Sequence, residues 1–156
     1  MPSIYCCAVN QSDVDQITER VLAYGRFVAQ GDLESVADLF VHGAVSGDAH
    51  PEPVIGRAAV LDLYRSTLAG DGAPRRLRVI TSDLRISVDH EAGTAGCLST
   101  FAVYARDPSA ADAPLFVGRY ADRFALVDGR WEFAHRHVHL DMTDDEAVRR
   151  EGVNLG

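Results

Sequence analysis

The stretch GRYADRFALVDGRWEFAHRHVHLD, residues 118–141, decides the fold. Apolar and polar residues alternate through it, as they do on a half-buried strand. The spacing predicts two strands, Leu115–Leu126 and Arg130–Asp141, joined at the sequence Val-Asp-Gly-Arg. The turn can be read in two ways. A two-residue type I′ turn at Asp128-Gly129 pairs Val127 with Arg130. Tyr120 then faces His137, and Asp122 faces His135. A three-residue loop with Gly129 left-handed pairs Leu126 with Arg130 and sets Tyr120 opposite Arg136. His135, His137 and His139 then share a face with Trp131 and Phe133.

Upstream, two more alternating segments precede this hairpin, Arg76–Val88 and Ala95–Arg106. The apolar phase of the first slips near Thr81–Asp83, which predicts a bulge. Loops are expected at GDGAPRR, residues 70–76, and DPSAADAP, residues 107–114. Earlier still, the period is helical. Ser12 opens an S-x-x-D capping pattern, and Val14, Ile17, Val21, Tyr24 and Val28 follow at helical spacing. Gly31 ends that helix and Asp32 caps a second, with Leu33, Val36, Ala37 and Phe40 on one face. A short strand is expected near Ala44–Val45. Pro51 and Pro53 then break the chain. A third helix should run from Arg57 to Leu68, and Thr143 should cap a short tail helix with Glu146. Helices first and an antiparallel meander after them make an α+β fold.

The composition sets outer limits. The chain has 156 residues, 47% of them hydrophobic, enough for one domain with a real core. A net charge of −8 argues against a nucleic-acid partner. All 15 basic residues are Arg. No apolar run is long enough to span a bilayer, and the first residues make a poor signal peptide. Cys6, Cys7 and Cys97 have neither disulfide nor zinc spacing, which fits a reduced, cytoplasmic protein.

Three segments carry a family resemblance: YGRFVAQGDLESVADLF from Tyr24, PVIGRAAVLDLY from Pro53, and the hairpin from Gly118 to Asp141. Together they resemble the SnoaL-like branch of the nuclear transport factor 2-like superfamily. Its relatives include scytalone dehydratase, ketosteroid isomerase and limonene epoxide hydrolase. The resemblance implies a cone-shaped α+β barrel, also called cystatin-like, with a curved antiparallel sheet wrapped around N-terminal helices and an apolar pocket. It divides the chain into an extended or disordered arm at 1–12, a domain at 13–141 and a tail at 142–156.

The resemblance also implies a small-molecule ligand that is polycyclic, steroid-like or polyketide-like, and either lyase or isomerase chemistry or binding alone. Relatives that transfer protons bury a carboxylate or His in an apolar pocket, where low dielectric tunes its pKa. Two such positions are occupied here by Gln30 and Val79, neither of which takes a proton at neutral pH. Tyr24, Tyr120, Asp122 and Arg136 are the remaining candidates for catalysis. Tyr64, Val79, Val138 and Leu140 are the candidates for ligand contact. Arg136 aligns with a catalytic carboxylate of limonene epoxide hydrolase, but an arginine stays protonated and cannot replace it. It can hold an anionic or carbonyl group, or pair with Asp122.

Asp48 and His50 fall in the loop at the expected pocket rim. No metal or other cofactor is expected, because consecutive alternate histidines lie nearly 7 Å apart along a strand. By the parity of relatives, Arg136 should point inward and the three histidines outward. Trp131, Phe133 and the histidines would then form a convex face suited to a homodimer.

Overall fold

The fold is seen in a computed structural model, which describes residues 4–69, 76–106 and 113–155, with side chains from residue 13. The loops expected at 70–76 and 107–114 fall almost wholly outside the described residues. So do the side chains of Cys6 and Cys7.

Helix α1 spans Ile4–Gln30. The arm expected at 1–12 is therefore helical from Ile4, and Ser12 lies inside the helix rather than at its start. Neither Gly nor Pro occurs between Ile4 and Ser12 to interrupt it. Ile17, Val21, Tyr24 and Val28 are all buried, as their spacing requires. Gly31, at φ 70°, ends the helix in a Schellman motif. Its N–H donates to the Val28 carbonyl at 3.1 Å, and that of Asp32 to the Phe27 carbonyl at 2.9 Å.

The Asp32 carboxylate then caps α2, Leu33–Asp38, accepting from the Ser35 N–H at 3.1 Å and the Ser35 hydroxyl at 2.6 Å. Strands β1, Ala44–Gly47, and β2, Val54–Ile55, come next. Helix α3 covers Arg57–Tyr64 and continues as a π-helical turn, Arg65–Ala69, so the third helix changes its winding before Leu68.

Four long strands follow: β3, Leu77–Asp89; β4, Thr94–Ala105; β5, Phe116–Val127; and β6, Arg130–Thr143. The register of β3 shifts between Ser82 and Arg85, with Asp83 at φ 53°, which is the predicted bulge. The sheet order is β2-β1-β6-β5-β4-β3. β3 to β6 form the antiparallel meander, but β1 joins β6 in parallel. The sheet is therefore mixed, an α+β architecture in which α1 packs on the inner face against β3 and β6. The buried Asp13 carboxylate accepts from the Trp131 indole N–H at 2.9 Å and ties α1 to β6.

The β5–β6 turn has two residues, Asp128 at φ 48° and Gly129 at φ 77°, and pairs Val127 with Arg130. It is a type I′ turn, not the three-residue loop that the parity of relatives favours. That parity is nevertheless reached, by a different route. The register slips between Arg123 and Phe124, so Phe133 faces Phe124, His135 faces Arg123, and Ala134 is the extra residue. This bulge exchanges the faces of the strand. Trp131 and Phe133 point into the core before it, and Arg136 does so after it.

Asp122 thus faces Arg136, and Tyr120 faces Val138. His135, His137 and His139 point away from the core, but Trp131 and Phe133 do not accompany them. The half-apolar convex patch expected from those five residues does not form. The tail helix α4, Asp145–Arg150, is capped by Asp144, whose carboxylate accepts from the Ala147 N–H at 3.0 Å; Thr143 ends β6 instead. No described helix is long and apolar enough to cross a membrane.

Candidate functional site

The inner faces of α1, α3, β1 and the long strands line a cavity of about 130 Å³ that opens to solvent at its rim. Tyr24 comes from α1, and Tyr64 from the last turn of α3. Thr67 and Leu68 belong to the π-helical turn, and Val138 and Leu140 to the inward parity of β6. Phe101, Val103, Phe116 and Tyr120 supply the opposite wall. Leu155 of the tail completes it, held there because the Asn154 N–H donates to the Thr67 carbonyl at 2.8 Å. Asp48 and His50 stand at one rim, on the loop after β1. They are the only carboxylate and imidazole among the described lining residues.

The polar end of the cavity is phenolic. The hydroxyls of Tyr24 and Tyr64 lie 2.6 Å apart, both rings buried. Burial holds the Tyr64 and Tyr120 hydroxyls well above the ordinary phenol range, and the neighbouring Tyr24 adds to this. Arg136 opposes the shift without reversing it. These phenols stay protonated near neutrality, so they donate hydrogen bonds and do not act as bases. Tyr120 stacks on Phe101, with ring centroids 4.2 Å apart.

Behind Tyr24 and Tyr120 lies a second layer. Arg136 is fully buried and meets the Asp122 carboxylate in two hydrogen bonds of 2.7 Å, from Nε and Nη2. Its guanidinium carbon sits 3.8 Å from the Tyr120 ring centroid and 4.1 Å from that of Tyr24. Nη1 has no hydrogen-bond partner among the described residues, and the two ring faces stand in for one. Burial disfavours the charge, but the Asp122 carboxylate outweighs it, and the guanidinium is held even more firmly protonated than usual. Neither Asp122 nor Arg136 reaches the cavity wall. Cys97 lies in the same layer, its thiol pushed up to about 11 chiefly by burial and then by Asp122.

Five of the eight residues singled out from sequence meet at the cavity: Tyr24, Tyr64, Tyr120, Val138 and Leu140. Asp122 and Arg136 form the layer behind it. Val79 lies elsewhere, where α1 crosses β3, and a Cβ built on Gly25 would sit 3.5 Å from its Cγ1. Gln30 is exposed at the end of α1. The spacing of residues carries no sign of the walls made by Thr67 and Leu155. The π-helical turn and the docked tail that place them are tertiary features.

On the other face of β6, β1 brings a polar group to the histidines. The parallel register sets Ser46 beside His137. The buried Ser46 hydroxyl shares hydrogen bonds with His135 Nε2 at 2.8 Å and His137 Nδ1 at 2.7 Å. Asp48 Oδ2 accepts from the Leu140 N–H at 2.9 Å. That bond is the main reason its carboxyl lies below the ordinary carboxylate range.

Several solved structures share this fold. One from Novosphingobium aromaticivorans, described as a nuclear transport factor 2-like protein with a cystatin-like fold, is 18% identical and has a TM-score of 0.71, with 97% of each chain covered. A Mycobacterium tuberculosis protein of unknown function is 23% identical with a TM-score of 0.70, covering 96% of this chain and 81% of that one. A candidate scytalone dehydratase from N. aromaticivorans is 22% identical with a TM-score of 0.68, covering 87% of this chain and 89% of that one. At these identities the likeness is one of fold. No curated protein matches the sequence. The model of the SnoaL-like domain matches residues 10–137, and the chain belongs to that family.

Proposed function

We propose that the protein binds a small, largely apolar compound carrying one oxygen function, a ketone or a phenol, in the cavity between Tyr24, Tyr64 and Tyr120. The observation that carries this reading is the Tyr24–Tyr64 hydroxyl pair at the end of an otherwise apolar space. Two hydroxyls joined by one hydrogen bond keep one O–H to give, and a ligand oxygen is its natural acceptor. Size argues for one ring rather than several. An apolar cavity of about 150 Å³ accommodates benzene, whereas drug-sized ligands occupy roughly 300–1,000 Å³. A ligand of the polycyclic class that the resemblance implies would extend out through the open rim or push the walls apart.

Burying about 200 Å² of apolar surface is worth about 5 kcal/mol, and the hydrogen bond about 1 kcal/mol more. Dissociation constants should therefore lie at roughly tens to hundreds of micromolar. Calorimetric titration with single-ring ketones and phenols tests this. Either hydroxyl can carry the spare O–H, so the double variant Tyr24→Phe/Tyr64→Phe is the one that removes it, and it should weaken binding by about 2- to 12-fold, the value of one neutral hydrogen bond. Equal affinity for the matching hydrocarbon would refute the role of the phenols.

Lyase or isomerase chemistry is the second reading, and the ionised Asp48 at the rim is what favours it. A carboxylate held below its ordinary range is a weak base, however, so binding without turnover is the better supported. Homodimerisation through the outer sheet face belongs to the same proposal. It rests on Ile80, Leu98 and Met142, large apolar side chains left exposed there. Sedimentation of Leu98→Arg, expected to be monomeric, checks it.

A further inference from the structure

We propose that Asp48, His137 and His139 form a binding site for one divalent transition-metal cation of the zinc type, on the outer face of β6 beside the cavity rim where Asp48 stands. His137 and His139 occupy successive outward positions on β6, with ring centroids 4.3 Å apart. Two alternate histidines offer only two ligands, and the third comes from β1. Parallel pairing sets Gly47 beside Val138, and the Asp48 N–H donates to the Val138 carbonyl at 3.2 Å. The Leu140 N–H then holds Oδ2. This leaves Oδ1 at 3.3 Å from His137 Nε2 and 3.1 Å from His139 Nδ1.

All three ligand atoms lie within 4.8 Å of one another. Zinc bound at 2.0–2.1 Å to each ligand of a tetrahedron needs them about 3.3 Å apart. Two of the three edges already have that length, and small rotations of the partly exposed imidazoles close the third. Two imidazoles and one carboxylate suit zinc and its neighbours, with water in the remaining position.

The atoms behind the ligands fit as well. A metal-bound imidazole usually donates its other N–H to a fixed acceptor. His137 Nδ1 has such a partner in the buried Ser46 hydroxyl, which in turn reaches His135 Nε2. A hydroxyl both donates and accepts, so this chain can run in either direction. Without a cation it runs from His135 through Ser46 to His137, whose Nε2–H donates to Asp48. With a cation it runs the other way. Nδ1–H of His137 donates to Ser46, Ser46 donates to His135, and the lone pair of His137 Nε2 is freed for the metal. Arg123, whose Nη2 lies 3.4 Å from His135 Nδ1, is exposed and free to swing aside when that nitrogen carries the proton.

The test is titration of the chelator-treated full chain with zinc chloride by calorimetry, and with cobalt(II) chloride by visible absorption. One equivalent of zinc should bind at micromolar concentration, and cobalt should give the intense bands of a four-coordinate site. His139→Ala at a half-buried position and Asp48→Asn at an exposed one should each weaken zinc binding at least tenfold and abolish the cobalt bands. Ser46→Ala should weaken it about 10- to 100-fold. His42→Ala, remote from the site, should change nothing. Melting of each variant in chelator verifies that it is folded. Absence of binding below 1 mM zinc, or equal affinity in His139→Ala and Asp48→Asn, would overturn the proposal.

Discussion

Arg136 and Asp122 face one another across the β5–β6 ladder and join through two hydrogen bonds of 2.7 Å, with no solvent on either side chain. A buried pair of this kind loses much of its attraction to the cost of leaving water, so removing one partner does most harm. Arg136→Met should strand the carboxylate and cost about 3–5 kcal/mol. The double variant Arg136→Met/Asp122→Leu should recover most of that loss. Urea unfolding of the two singles and the double gives the coupling directly. Simple additivity would mean that the pair does not act as a unit.

Gly118 is held at close quarters for a different reason. A Cβ built there would lie 2.0 Å from the His139 carbonyl oxygen and 2.7 Å from the edge of Phe101. Gly118→Ala must displace both the β6 backbone and the ring on which Tyr120 stacks. The expected loss is about 1–3 kcal/mol, the usual cost of overpacking, together with weaker ligand binding. Thermal melting and ligand titration read the two effects separately.

The cap on α2 makes stability depend on pH. Hydrogen bonds from Ser35, hydroxyl first and then N–H, hold the Asp32 carboxyl below its ordinary value in the folded protein. A depressed folded pKa stabilises the fold at pH above the unfolded value of about 3.9, and that contribution fades as the pH falls through the folded value. Asp32→Ala should therefore cost about 0.5–2 kcal/mol at pH 7, with the gap to the parent protein narrowing below pH 4. A gap that stays constant from pH 7 to pH 3 would contradict the charged cap.

Cys97 should be inert in the folded state. Its side chain is buried and its thiol pushed up to about 11, so little thiolate exists at pH 8. Mass spectrometry after brief iodoacetamide treatment should find Cys97 unmodified in native protein and modified in urea. Rapid labelling without denaturant would mean that the layer behind the tyrosines opens.

Much of this could be read from the residues, because local signals and tertiary structure agree. Ile17, Val21, Tyr24 and Val28 mark the buried face of α1, Gly31 and Asp32 mark the junction with α2, and the phase slip before Leu84 marks the bulge in β3. The inward side of Arg136 was legible through family resemblance, yet the mechanism was not. Asp128-Gly129 fits both turns equally, and nothing local marks Ala134 as the residue that leaves the ladder. Regular alternation therefore sets Trp131 and Phe133 on the outer face with the histidines, whereas both are buried in the core. Asp48 could not be joined to His137 and His139 either. Their contact depends on a parallel pairing between segments about ninety residues apart, and such a pairing has no short-range signature.

That pairing also orders events in time. β1 finds its parallel neighbour only when Arg136 and the residues around it exist, and synthesis at about 5–20 residues per second delivers β6 roughly 5–20 s after β1. Throughout that interval the nascent chain carries a strand with one unsatisfied edge, the kind of feature that recruits wrong partners. The strand that waits is Ala-Val-Ser-Gly, four residues with a single large apolar side chain. It is shorter than the six or seven residues of an aggregating segment and ends in glycine, so the chain can afford to complete its pocket last.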